Sequence, residues 1–170
     1  MEMHKISVQT AALVVALGAF ATIAGAWWFE LVAGLEPCPL CLEQRLPYYV
    51  GIPVAVAAFA LARSGRSWPA GILLAVFALL MAYGTGLGIY HSGIEWQWWA
   101  GPAACSGGGE IPSDAASLLG SLSEGSIPSC DEAPWRLFGL SLAGYNVLLS
   151  AALALIATAS ACRALVMRGH

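Results

Sequence analysis

Cys38 and Cys41 enclose only Pro39 and Leu40. This is the spacing of redox-active dithiols, in which one sulfur is held as a thiolate. A bridge across so short a loop restricts little of the unfolded chain and would stabilise little. Further on, Cys105 and Cys130 stand 25 residues apart, and Cys162 completes a set of 5. Three kinds of chemistry compete for these sulfurs. They could form two structural disulfides that staple loops. They could hold a metal, although structural zinc prefers two C-x-x-C knuckles or one with a histidine pair, and glycines separate Cys105 from Cys130; no metal site is expected. Or they could form a thiol–disulfide relay, with one pair beside an electron acceptor in a membrane and the other on a loop that reaches a soluble partner.

The neighbours of Cys41 favour the relay. Cys41 is expected at the mouth of a helix, whose N-terminus favours a thiolate. Arg45 follows at i+4, on the same face one turn deeper. A cation near a bilayer surface is costly without a partner or a task. Arg45 could snorkel or pair with Glu43. It could also donate to a carbonyl oxygen of a bound quinone and stabilise the charge that develops on reduction. His91 could be a solvated interfacial side chain, or could hydrogen-bond or supply a proton for the same quinone. Tyr48, Tyr49, Trp27 and Trp28 could line an aromatic pocket, but they read more simply as an interfacial belt.

These residues must be positioned by membrane helices. Of 170 residues, 59% are hydrophobic and 10% charged, against about 45–50% and about 25% in soluble domains. An ordinary soluble enzyme, a disordered chain and a basic nucleic-acid binder are all excluded. A bilayer core about 30 Å thick takes roughly 20 apolar helical residues, and stretches near 8–29, 46–62, 68–90 and 137–161 qualify. The expectation is one domain over 1–170: an all-α integral membrane protein with a four-transmembrane-helix bundle. Pro47 and Pro53 fall in the first two turns of the second span, where a missing N–H costs least. The first span is too long for the apolar core of a signal peptide and runs on into Trp27-Trp28-Phe29, so it is expected to be retained. Gly84, Gly86 and Gly88 suggest close helix packing in the third span.

Charge sets the expected orientation. Lys5, Arg63, Arg66, Arg163 and Arg168, 5 of the 7 basic residues, share one side, and nine of the ten acids lie on the other. By the positive-inside rule both termini are cytoplasmic and two loops, near 30–45 and 91–136, face outward. Cys38, Cys41, Cys105 and Cys130 then lie where disulfides persist, and Cys162 lies on the reducing side. Four cysteines allow three pairings. In the long loop, Trp96-Gln97-Trp98-Trp99 reads as a second belt. Gly107-Gly108-Gly109 is a flexible tract. Ser113-Asp114 could cap a short interfacial helix carrying Leu118, Leu119 and Leu122.

Four spans, an outward Glu36-Pro37-Cys38-Pro39-Leu40-Cys41 followed by Arg45, and a second outward loop with Cys105 and Cys130 resemble the disulfide bond formation protein B (DsbB) family. The stretch from Cys130-Asp131-Glu132 through Trp135, Phe138, Gly139 and Leu140 adds to the likeness, which covers essentially the whole chain. The DsbA–DsbB–quinone relay is what keeps a bacterial periplasm oxidising. The resemblance implies a thiol:quinone oxidoreductase of the bacterial inner membrane. It would reoxidise a soluble periplasmic DsbA-like thiol oxidase and pass the electrons to ubiquinone or menaquinone. Cys105 would be attacked by the partner's thiolate, with Cys130 its loop mate. Cys38 and Cys41 would take the electrons, with Cys41 facing the quinone. Arg45 matches the family's quinone-contacting arginine and His91 a histidine near that site. Gln44 stands where an acidic residue can precede the arginine and inherits no role, nor does Cys162. A vitamin K epoxide reductase-like protein is the alternative within enzymes, although its motif falls late in the bundle. A disulfide-stapled membrane scaffold is the alternative outside them.

Overall fold

Lipid offers no hydrogen bonds, so chain segments this apolar satisfy their backbone as helices. The computed structural model describes residues 2–102, 105 and 128–166. In order these form α1 (Glu2–Leu31), α2 (Pro39–Glu43), α3 (Leu46–Arg63), α4 (Ser67–Glu95), a hairpin of β1 (Arg136–Leu137) and β2 (Leu140–Ser141), and α5 (Leu142–Val166). Among the described residues, four stretches are long and apolar enough to cross a membrane: Val8–Leu31, Pro39–Arg63, Ser67–Glu95 and Leu142–Val166. Large apolar side chains such as Leu17, Leu79 and Leu155 point outward, as helices facing lipid require.

Small residues hold the bundle together. Ala12, Ala55, Ala58 and Ala157 are fully buried around the larger Leu74, Phe77 and Met81. At two places α4 and α5 approach so closely that only glycine fits. A methyl group on Gly71 would stand 2.7 Å from the Cβ of Ala164, and one on Gly88 would stand 2.8 Å from a methyl of Val147. Gly86, by contrast, faces open space. Tight contact at Gly88 fixes α4 against α5 three residues from His91.

Two segments differ from the simplest reading of hydropathy. Leu137-Phe138-Gly139-Leu140 looks like the start of a span, yet it forms the hairpin, with Arg136 opposite Ser141 and Leu137 opposite Leu140. The two-residue turn has positive φ at both Phe138 (50°) and Gly139 (81°), as a turn matching strand twist demands. α5 therefore begins at Leu142. At the other end of the loop, α4 runs on beyond 90 to Glu95, because His91, Gly93, Ile94 and Glu95 are buried. The chain then turns at Gln97 with φ 60°. Trp99 folds back over Gly93, where any side chain would strike its ring, and donates from Nε1 to the carbonyl of Tyr90 at 2.9 Å. Trp96 and Trp98 are exposed. The glycine tract at 107–109, the Ser113-Asp114 cap and Leu118, Leu119 and Leu122 lie outside the described residues.

Candidate active site

The end of α1, α2, the start of α3, the end of α4 and the start of α5 meet at one end of the bundle. The C-x-x-C pair sits there on α2. Pro39 is the first helical residue, which suits its missing N–H. That makes Cys38 the N-cap: its sulfur accepts from the Cys41 backbone N–H at 3.2 Å. The helix terminus therefore favours a thiolate on Cys38, not on Cys41 as its expected place at the mouth of the second span suggests. His91 Nε2 lies 3.7 Å from the same sulfur. The Cys38 thiol is held low, at about 5, chiefly by its hydrogen bond with the Cys41 thiol and then by His91, against the opposing effect of burial.

Cys105 and Cys130 form a disulfide, while Cys38, Cys41 and Cys162 are free thiols. Of the three pairings open to the outer four, this structure holds the one that joins the loop pair. Cys38, Leu40, Ile94, Cys105 and Cys130 make one buried cluster with Cys41 against it. The two cysteine pairs are thus neighbours, and the loop disulfide is packed away, with Cys105 only 2% exposed. Cys162 lies elsewhere, exposed near the far end of α5. The ligand atoms of Cys38, Cys41 and His91 lie within 4.8 Å of one another.

Beside this cluster is a cavity of about 370 Å³, within the range of about 300–1,000 Å³ typical of small-molecule sites. Its walls are mostly apolar, including Ile23, Phe29, Leu35, Leu142 and Leu149, with Thr22, Glu36, Cys41, Gln44, Arg45, Tyr48, His91, Tyr145 and Asn146 contributing polar groups. Trp135 closes it between the two helix ends, 5.0 Å from the ring of Phe29 and 6.1 Å from that of Tyr145.

Arg45 lines the cavity but does not share one continuous helix with Cys41. α2 stops at Glu43, and Arg45 is the N-cap of α3 after a tight turn. Its partner is Glu30 at the end of α1, at 2.5 Å, rather than Glu43, which is exposed. Tyr48 is 1% exposed and lines the cavity, whereas Tyr49, Trp27 and Trp28 are surface residues, with Trp27 Nε1 donating to the Tyr49 hydroxyl. Sequence reasoning missed Gln44, Asn146, Glu30 and Glu95. Asn146 could have been found as a lone amide inside an apolar span, where polar groups are costly and usually functional.

Against known protein families, residues 8–160 match the family described as disulfide bond formation protein DsbB. The chain belongs to the DsbB family. Like other DsbB proteins it is a membrane thiol:quinone oxidoreductase that generates disulfides, and neither the scaffold nor the vitamin K epoxide reductase-like alternative is favoured. Similar proteins include the disulfide bond formation protein B of Verminephrobacter eiseniae, 31% identical over 147 residues, covering 84% of this chain and 79% of that one. That of Polaromonas sp. strain JS666 is 27% identical over 154 residues, covering 84% and 83%. That of Marinobacter nauticus is 29% identical over 133 residues, covering 74% and 75%. No solved structure matches the chain at a significant level. The quinone link and the multi-pass placement in a bacterial inner membrane follow for this DsbB chain from its family and its four apolar helices.

Proposed function

We propose that this chain reoxidises a soluble periplasmic DsbA-like dithiol oxidase, passing its electrons from Cys105/Cys130 to Cys38/Cys41 and on to ubiquinone or menaquinone. The observation that carries this reading is the juxtaposition of both cysteine pairs in one buried cluster at the wall of an apolar cavity. The partner's thiolate attacks Cys105, breaking the bond to Cys130 and forming a mixed disulfide. The partner's second thiol then displaces Cys105. The reduced loop pair next exchanges with a Cys38–Cys41 disulfide, leaving the C-x-x-C pair as two thiols. The arrangement in hand, with Cys105–Cys130 bonded and Cys38 and Cys41 free, corresponds to this last form, in which the electrons wait beside the cavity.

The cavity's size and apolar walls suit a quinone ring, and a quinone bound there would take up two electrons and two protons. Arg45, steadied by Glu30 through one nitrogen, offers its remaining N–H groups to a carbonyl oxygen. Cys41 would face such a ring from the cavity wall, where His91 also stands. The test uses purified protein in lipid with a reduced soluble dithiol oxidase in excess. Added quinone should give many turnovers of disulfide formation, and Cys41→Ser should give none; turnover without quinone, or undiminished in Cys41→Ser, would refute the route.

The same proposal places the reactive loops in the periplasm and both termini in the cytoplasm. A membrane-impermeant maleimide added outside intact cells should label reduced Cys38, Cys41, Cys105 or Cys130 and leave Cys162 unlabelled. Outside labelling of Cys162 would reverse the orientation.

A further inference from the structure

Four polar side chains from three helices and the turn after α2 are linked in a line that ends at the redox sulfur. The Tyr48 hydroxyl donates to Asn146 Oδ1 at 2.7 Å. Asn146 Nδ2 donates to Gln44 Oε1 at 2.7 Å. Gln44 Nε2 stands 2.7 Å from His91 Nδ1, and His91 Nε2 stands 3.7 Å from Cys38 Sγ. Gln44 and His91 are 6% and 3% exposed.

The direction of this line is fixed by one carbonyl. Gln44 Nε2 also lies 3.3 Å from the backbone oxygen of Leu40, and a carbonyl oxygen can only accept. Turning the Gln44 amide over would set two acceptors against each other at Leu40. It would also set two amide nitrogens against each other at Asn146 unless that amide turned as well. With the amide as it stands, both Gln44 N–H groups are directed, one to Leu40 and one to His91. His91 Nδ1 must therefore accept, and the ring proton must sit on Nε2. Cys38 Sγ faces Nε2, the carboxylate of Glu95 stands 3.9 Å from it, and the ring also meets a backbone group of Cys130. Glu95 Oε2 is buried without a hydrogen-bond partner among the described residues.

We propose that Gln44, Asn146 and Tyr48 are positioning residues that lock His91 as the neutral Nε2–H tautomer, a fixed hydrogen-bond donor to the sulfur of Cys38. A donor held in place favours the thiolate over the thiol. It also leaves no lone pair on Nε2, so the grouping of Cys38, Cys41 and His91 is a proton-donor site and not a metal-ligand set. This deepens the reading of Cys38 as a redox sulfur. The experiment below reads the ring proton itself, so its failure would leave that reading standing.

The reduced protein, labelled with 15N-histidine in lipid nanodiscs, is to be studied by 15N–1H correlation near pH 7, with His91 assigned by loss of its signals in His91→Asn. The expected wild-type pattern is a protonated Nε2 and a bare Nδ1. Gln44→Glu, whose carboxylate only accepts, should move a proton onto Nδ1, while Glu95→Gln should leave the pattern as in the wild type. Asn146→Leu touches neither sulfur but frees the Gln44 amide to turn. It should slow site-resolved alkylation of Cys38 at neutral pH roughly threefold to tenfold, the range of one neutral hydrogen bond. A protonated Nδ1 in the wild type, or a ring proton unmoved by Gln44→Glu, would overturn the proposal.

Discussion

In Cys130→Ser, mixing with the oxidised soluble partner should build up a covalent adduct through Cys105, and in Cys105→Ser that adduct should vanish. Both changes are close to all-or-none, because they remove a sulfur and not merely a contact. The Cys105 thiol attacks the partner's disulfide, so the bond that breaks supplies the oxidation and no further oxidant is needed. In the wild type Cys130 is bonded to Cys105 and can resolve such an adduct. With serine there the loop offers no resolving thiol, and only the thiol released from the partner can reverse the adduct, so samples are acid-quenched before analysis. Cys105 is buried in the cluster with Cys38 and Ile94, so the adduct should form more slowly than exchange with an exposed thiol. Non-reducing electrophoresis against time checks both points. An adduct that persists in Cys105→Ser would assign the wrong sulfur to the partner.

Arg45→Ala should weaken quinone handling roughly tenfold to a hundredfold. A hydrogen bond from a charged donor is worth about 1.5–3 kcal/mol, at about 1.4 kcal/mol per factor of ten. Lysine should rescue only in part, since it keeps the charge but not the planar fork that can hold Glu30 and a carbonyl oxygen together. The pairing with Glu30 supplies a control. Glu30→Gln leaves the cation in place and should cost less than removing it. Partner oxidation in a single turnover should survive in Arg45→Ala, since the partner exchanges with Cys105. Quinone reduction followed against quinone concentration decides. An unchanged apparent KM and turnover in Arg45→Ala would make the residue a structural ion pair only.

The parts of the site that could be read in the sequence are those set by local spacing or by bulk composition. The C-x-x-C motif, the four apolar stretches and the segregated charges are of that kind. The partners of those residues are not. Gln44 meets His91 across 47 positions and Asn146 across 102, separations that only the packing of the turn after α2 against α4 and α5 closes. In the sequence Glu43 is the nearest carboxylate that Arg45 could pair with. The turn that ends α2 leaves Glu43 exposed and puts Arg45 beside the last turn of α1 instead. The hairpin escaped notice because Leu137, Phe138 and Leu140 are as apolar as a span. Its turn depends on a phenylalanine in a backbone region it seldom adopts. Cys41 seemed the better thiolate because the helix was expected to begin after it. Pro39 starts a short helix earlier and gives the capping position to Cys38.

All the groups in the proposed route stand at one end of the four helices. Electrons passing from a periplasmic dithiol through the two cysteine pairs to the cavity therefore travel along one face of the bilayer and never through its thickness. The protons released by the dithiol appear on the same face where quinone reduction consumes them. Carrying one elementary charge across 100 mV corresponds to about 2.3 kcal/mol, and the route contains no such crossing. On the proposed route, disulfide formation by this chain would be electrically silent: its own step would neither draw on the membrane potential nor add to it.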